Sequence, residues 1–283
     1  MNTEELKTFI FLSKVKNFTL AAEQLSVAQS TVTNRISELE KEVGKRLFSR
    51  GSKTVTLTEE GQIFLSFAER ILELQSSSIE EMNAVSSHRR KFSIGAINAN
   101  YEVYVKQLVD KCLLDNQETS IKVILGHSLD LIQLLQDNVL DMVFSAVPLK
   151  RLGFACDSYD TDRVALVCAK GKNEFPDGIK KEELAKISYL MCDLTLSEAG
   201  LYIRSLFPQN HVFRLEVDNT SKLFPYIEQG IGYAFLPYKL VEKQINDGVF
   251  EEVPLKDFTA PNVTTYLIYR QGYDVSKFLE NKF

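Results

Sequence analysis

No run of apolar residues in this 283-residue chain approaches the eighteen or so that a membrane-spanning helix needs, so a spanning segment is excluded. The N-terminus, MNTEELKTFIF, is acidic and then amphipathic, which is not the basic-then-apolar profile of a secretory leader. Histidine is scarce: His88, His127 and His211 are scattered and suggest no catalytic triad. There is no nucleophile elbow, P-loop, Rossmann glycine fingerprint or metal motif, so neither enzyme chemistry, a cofactor nor a metal is expected. The four cysteines, Cys112, Cys156, Cys168 and Cys192, form no CxxC pair. Most lie in apolar or strand-like sequence, which favours buried, reduced thiols. A cytoplasmic protein follows as the expectation. Internal repeats and low-complexity tracts are also missing.

The 45% of apolar residues is enough to fill the cores of two or three domains. Net charge is −5, but it is unevenly spread. Residues 1–90 hold 12 Lys/Arg and 12 Asp/Glu, so the whole excess of negative charge lies beyond them. Between residues 41 and 53, Lys41, Lys45, Arg46, Arg50 and Lys53 oppose Glu42 alone. Such a basic cluster in an acidic chain points to a polyanion partner.

The first ninety residues read as helices. Leu6, Phe9 and Ile10 mark one, with Thr3 as its expected N-cap. Phe18–Leu25 is a short second, whose Ala21 and Ala22 admit close approach of a neighbour. Ser26 and Gln29 fit a capping box for a third, which runs to about Val43 and ends at Gly44. A Gly-Ser turn in LFSRGSKTVTLT predicts a small hairpin or wing. From Thr58 a long helix reaches about Ser87; its stripe of Ile63, Phe64, Phe67, Ile71, Leu74, Met82 and Val85 calls for a partner surface, such as the same helix of another subunit. After SSHRRK, apolar β-like runs alternate with amphipathic segments, which implies an α/β architecture with largely parallel sheets.

In the third helix Val32, Ile36, Leu39 and Val43 form the inward stripe. At about 100° per residue, Ser30, Asn34, Ser37 and Lys41 then point outward, with Thr31 and Glu38 also outward and Thr33 and Arg35 flanking. Hydroxyl and amide side chains are mediocre inside helices. On the free face of a recognition helix they reach phosphates and base edges, and two close helices followed by a basic wing suggest helix-turn-helix DNA binding.

Phe18–Gly61 resembles the N-terminal signature of LysR-type transcriptional regulators. The matching elements are Phe18-Thr19-x-Ala21-Ala22-x-x-Leu25, Gln29-Ser30-x-Val32-Thr33-x-x-Ile36, Leu39-Glu40, Gly44-x-x-Leu47-Phe48-x-Arg50 and Leu57-Thr58-x-x-Gly61. More loosely, GHSLDLIQLLQDNVLDMVF and IEQGIGYAFLP are similar to segments of the family's two regulatory subdomains. The resemblance implies an α/β protein: a winged helix-turn-helix (1–58), a linker and dimerisation helix (59–90), and a two-lobed periplasmic-binding-protein-like α/β domain (91–283). Lobe I would comprise about 91–161 and 266–283, and lobe II about 162–265.

The implied function is regulation of promoter binding by a small-molecule effector, in a homotetramer. Carried over, Gln29, Ser30 and Thr33 would meet base or groove edges, with Thr31, Asn34 and Arg35 beside them. Arg50 and Lys53 would hold phosphates or enter the minor groove. The family commonly has Arg at the position of Asn34, a polar residue at that of Arg35, and Arg at that of Lys53, so the operator sequence is this chain's own.

Effector contacts are expected where strand ends meet helix N-termini, which suit anionic groups. Four such places are Asn98 with Asn100, His127 with Ser128, Thr195 with Ser197, and Asn219 with Thr220. The same residue types also serve as plain helix caps. Some family members sense redox state through a cysteine pair in the second lobe; here Cys168 and Cys192 lie in strand-like sequence, Cys192 has no basic sequence neighbour and Cys168 has only Lys170, which argues against that role. The alternatives left open are an enzyme, or a small-molecule binding protein without DNA recognition.

Overall fold

In the computed structural model the described residues are 1–50, 55–87, 90–115, 119–192 and 198–279. They fall into two compact units, Met1–Ser87 and His88–Phe283.

The first unit packs α1 (Thr3–Val15), α2 (Phe18–Gln24) and α3 (Gln29–Val43) around a core of Leu6, Phe9, Leu12, Ala21, Val32, Ile36 and Leu39. Val32, Ile36 and Leu39 are each 0% exposed, a burial worth roughly 1.5–3 kcal/mol per side chain. Two helix starts differ from the sequence expectation. Asn2, not Thr3, caps α1, in a reciprocal box with Glu5. Ser26 does not open α3, because its φ of 54° places it in the left-handed turn; α3 begins at Gln29 with Ala28 as N-cap and no side-chain cap bond. Gly44, at φ 71°, ends α3.

The hairpin of β1 (Phe48–Arg50) and β2 (Val55–Leu57) follows, antiparallel, with Phe48 opposite Leu57. Thr58 Oγ1 accepts the Gly61 N–H at 2.9 Å and so caps α4 (Glu59–Ser87). One face of α4, with Phe64, Leu65, Ala68 and Leu72, packs onto the core of α1–α3. A second face leaves Ile63 (63%), Phe67 (50%), Leu74 (40%) and Met82 (62%) exposed.

The second unit opens with β3 (Arg90–Ala96), α5 (Asn98–Asn100), a π-helical turn over Tyr101–Val105 and α6 (Lys106–Asp115). There follow β4 (Thr119–Leu125), α7 (Ser128–Gln136), β5 (Met142–Ser145) and the sixteen-residue β6 (Phe154–Ala169). Beyond it lie β7 (Leu190–Cys192), α8 (Glu198–Ser205), β8 (Leu215–Val217), a 3-10 turn over Thr220–Leu223 and α9 (Phe224–Glu228). The unit closes with β9 (Ala234–Pro237), α10 (Tyr238–Asn246), β10 (Phe250–Glu252), β11 (Asn262–Arg270) and α11 (Ser276–Leu279).

The largest sheet runs β10-β6-β11-β5-β3-β4, with β9 also on β6. It is mixed where the sequence reading had it largely parallel: β3 pairs parallel with β4 and β5, whereas β6, β9, β10 and β11 all pair antiparallel. The reason is that β6 and β11 run alongside one another over nine residues and pass from one lobe into the other. In each lobe alternate residues feed opposite faces. Met142 and Phe144 enter one core and Val143 another; Val164, Leu166 and Cys168 enter one core and Ala165 and Val167 another. Both lobes are thus sheets covered by apolar layers on both sides.

Candidate functional site

In the first unit, Asn17 caps α2 by accepting the Leu20 N–H at 3.1 Å, and the buried Ala21 and Ala22 let α3 cross closely. This presents Gln29, Ser30, Asn34 and Ser37 as exposed, with Thr31 and Thr33 half-buried beside them. Thr33 Oγ1 donates to the Gln29 carbonyl at 3.0 Å, and Thr19 Oγ1 donates to Gln29 Oε1 at 3.5 Å. Arg35 turns away from this face. Its guanidinium donates to Thr8 Oγ1 at 3.1 Å and pairs with Glu4 at 3.3 Å, tying α3 to α1.

The wing is fastened from below. Glu40 Oε1 accepts the N–H groups of Leu47 (2.8 Å) and Phe48 (3.1 Å), and Thr58 Oγ1 donates to the Arg46 carbonyl at 2.7 Å. Arg50 closes β1 opposite Val55, and Lys53 lies outside the described residues.

In the second unit the predicted cleft residues come from both lobes. Asn98 opens α5, which lies against the Thr220–Leu223 turn of the other lobe. His127, at the head of α7, has Nε2 at 4.0 Å from Asp218 Oδ2, and both side chains are exposed. Several hydroxyls and amides there are already occupied. Buried Asn100 donates to the Phe144 carbonyl at 3.3 Å and accepts from Thr265 Oγ1 at 3.0 Å. Buried Ser128 accepts the Ala146 N–H at 3.1 Å. Asn219 caps its turn by accepting from the N–H (3.1 Å) and hydroxyl (2.8 Å) of Ser221, and Thr220 is buried next to it. Thr195 and Ser197 lie outside the described residues.

A polar cluster at the crossover was not anticipated. Asp162, 6% exposed, accepts the Lys239 N–H at 2.8 Å at the start of α10, and the Lys239 ammonium is bound to Asp160. Thr161 and Thr264 hydroxyls meet across the strands at 3.3 Å. Burial raises Asp162 above the ordinary carboxylate range. Burial also opposes the charge on Asp160, but hydrogen bonds from Lys239 and Tyr104 outweigh it and hold that carboxyl below its usual value. The closely spaced Asp157, Asp160 and Asp162 of DSYDTDR were the available sequence signal, but the apolar pattern that marks a strand begins only at Arg163.

Cys168 and Cys192 are 1% and 5% exposed and enter different cores. Cys112 and Cys156 are half-buried, and no disulfide joins any of the four. Burial and then the nearby Glu251 push the Cys168 thiol up to about 12, and Lys170 is held by Glu251 at 3.4 Å. Iodoacetamide at neutral pH is therefore expected to reach Cys168 and Cys192 only after unfolding. Peptide mapping of natively labelled protein checks this, and rapid native labelling of Cys168 would refute it. Among the described residues no group of three His, Cys, Asp or Glu is placed to hold a metal, and no helix is long and apolar enough to cross a membrane.

Two family models match the chain, the bacterial regulatory helix-turn-helix of the lysR family over residues 3–62 and the LysR substrate binding domain over 86–280. The chain belongs to the LysR family. LysR-type proteins are DNA-binding transcriptional regulators with an effector-binding domain, not enzymes, and this chain is one of them. As such it binds promoter DNA and a small-molecule effector, and it oligomerises. Among similar proteins, the HTH-type transcriptional regulator CitR of Bacillus subtilis (strain 168) is 25% identical over 276 residues, covering 95% of this chain and 93% of CitR. The crystal structure of CbnR, a LysR family transcriptional regulator, shares the fold with a TM-score of 0.72 at 18% identity, covering 99% of this chain and 97% of CbnR. CbnR complexed with its target DNA matches at 0.68 and 19%, covering 99% and 98%. The LysR assignment agrees with the expected helix-turn-helix followed by a two-lobed α/β domain, and it supports the regulator reading over an enzyme or a binding protein without DNA recognition.

Proposed function

We propose that this LysR regulator acts in the cytoplasm as a homotetramer and reads its operator with the N-terminal half of α3. Gln29, Ser30, Thr31, Thr33 and Asn34 would meet base and groove edges, while Arg50 and Lys53 grip phosphates or the minor groove. Arg35 supports that face from behind through Thr8 and Glu4. The observation that carries the reading is the division of α3: one side has no exposure at Val32, Ile36 and Leu39, and the opposite side is polar and exposed. The exposed stripe of α4, from Ile63 to Met82, is the surface for a second copy of the same helix.

The effector would lie between the lobes, near Asn98, His127 and the Asn219–Thr220 turn; Thr195 and Ser197, outside the described residues, are the remaining expected contacts. Asn100, Ser128 and Asn219 already use side-chain bonds within the protein, so their part is to shape the cleft and aim backbone N–H groups. That arrangement favours an anionic effector.

Fluorescence anisotropy tests the DNA half of this reading, with a duplex selected from a random pool by the wild-type protein and a scrambled control. Arg50→Ala with Lys53→Ala should weaken both duplexes and reduce the slope of log K against log salt by roughly 1.8. Gln29→Ala or Thr33→Ala should cost about 1–3 kcal/mol on the selected duplex and little on the scrambled one. Uniform weakening by all four substitutions would show that another face reads the operator.

A further inference from the structure

Beyond the reading half of α3, the same helix face continues into a second feature. A surface depression of about 410 Å³ is lined by Ser37, Glu40, Lys41, Gly44, Lys45 and Arg46. Three of these six are cations, and the lone carboxylate has one oxygen committed to the Leu47 and Phe48 N–H groups. Lys41, Lys45 and Arg46 are all exposed. The first two have only loose partners, Glu38 at 3.7 Å and Glu60 at 3.9 Å. Exposed pairs at such distances contribute little and exchange readily for a stronger anion. Arg46 makes no side-chain ion pair among the described residues. Gly44, at φ 71° with open space where a Cβ would stand, turns the chain so that Lys45 and Arg46 line the same hollow as Lys41.

We infer that this hollow is a seat for the DNA backbone phosphates bordering the groove that the first half of α3 occupies. The inference rests on the operator reading proposed above and adds to it a contact made by different residues. Seven residues separate Asn34 from Lys41, which is nearly two full turns, so they share a face about 10 Å apart along the axis. The major groove is about 12 Å wide. A helix with Asn34 inside the groove therefore carries Lys41, and the cations beyond Gly44, out to the strand that bounds it. Flexible ammonium groups with an exposed guanidinium suit phosphate oxygens, and they position the protein without selecting bases.

The test uses the full chain and the same two duplexes. Lys41→Ala, Lys45→Ala and Arg46→Ala combined should weaken selected and scrambled DNA equally and lower the salt slope by about 1 for each phosphate no longer neutralised. Replacing Lys41 and Lys45 by Arg should preserve the slope. In ethylation interference, the triple variant alone should become insensitive to modification of the corresponding flanking phosphates. Should that variant fail to fold, Lys41→Gln and Arg46→Gln singly should each lower the slope by about 1. An unchanged slope with native melting would overturn the inference and leave the patch for an acidic protein surface. The operator reading is judged separately, by the preference for selected over scrambled DNA in the Gln29 and Thr33 variants.

Discussion

Gly61→Ala is expected to lower the melting temperature of the N-terminal unit by ten degrees or more and to abolish specific DNA retention, since overpacking there should cost about 3 kcal/mol. Helix propensity points the other way, because alanine is the better helix former by about 1 kcal/mol. Packing decides. A Cβ at this position would stand 2.1 Å from the Leu47 carbonyl oxygen. That oxygen accepts the Thr58 N–H at 3.0 Å, and the neighbouring Leu47 N–H is held by Glu40. The carbonyl cannot retreat without releasing the base of the wing. Calorimetry of the full chain, with DNA binding by anisotropy, reads both effects. A melting temperature within about 2 °C of wild type would show that the wing base yields easily.

Gly232→Ala should produce the complementary defect, a loss of similar size in the second lobe with the N-terminal unit still folded. Its Cβ would lie 2.0 Å from the Ser188 carbonyl oxygen, which accepts the Tyr233 N–H at 2.9 Å. The Leu190 N–H returns the exchange by donating to the Tyr233 carbonyl at 2.8 Å, so the glycine sits where two strands are drawn together. Overpacking against backbone is again worth about 3 kcal/mol. Hydrogen exchange resolved by segment checks it: β7 and β9 should lose protection while α1–α3 keep theirs. Native protection in β7 would refute the prediction.

Those two glycines stand in the stretches that resemble the family, Leu57-Thr58-x-x-Gly61 and IEQGIGYAFLP, and show what was legible. Apolar spacing located α3 and its buried stripe because Val32, Ile36 and Leu39 have no other use. Short continuous apolar runs located β5 and β9, because both faces of each are buried. Local polar choices were less legible. Ser26 and Gln29 have capping-box chemistry, but the chain needs a left-handed residue at Ser26 to turn from α2 into α3. The first half of β6 carries Asp157, Asp160 and Asp162 among few apolar residues and is a strand only because β11 lies beside it, a pairing between residues about a hundred positions apart. Asn100 and Ser128 looked like ligand contacts; their bonds to Phe144, Thr265 and Ala146 become visible only when those distant segments are in place.

The place of β11 in the sheet also orders events at the ribosome. β11 lies between β5 and β6, yet it is made last, as residues 262–270. Among the described residues no earlier strand fills that gap, so the first lobe must wait for nearly all of the second to emerge before its sheet can close. The N-terminal unit has no such dependence, since its core is complete within its own 87 residues. A nascent chain can therefore own a finished DNA-reading head while its effector-responsive part is still unformed. In a gene whose message is translated beside the chromosome, the ability to hold DNA would arise before the ability to be told when to respond.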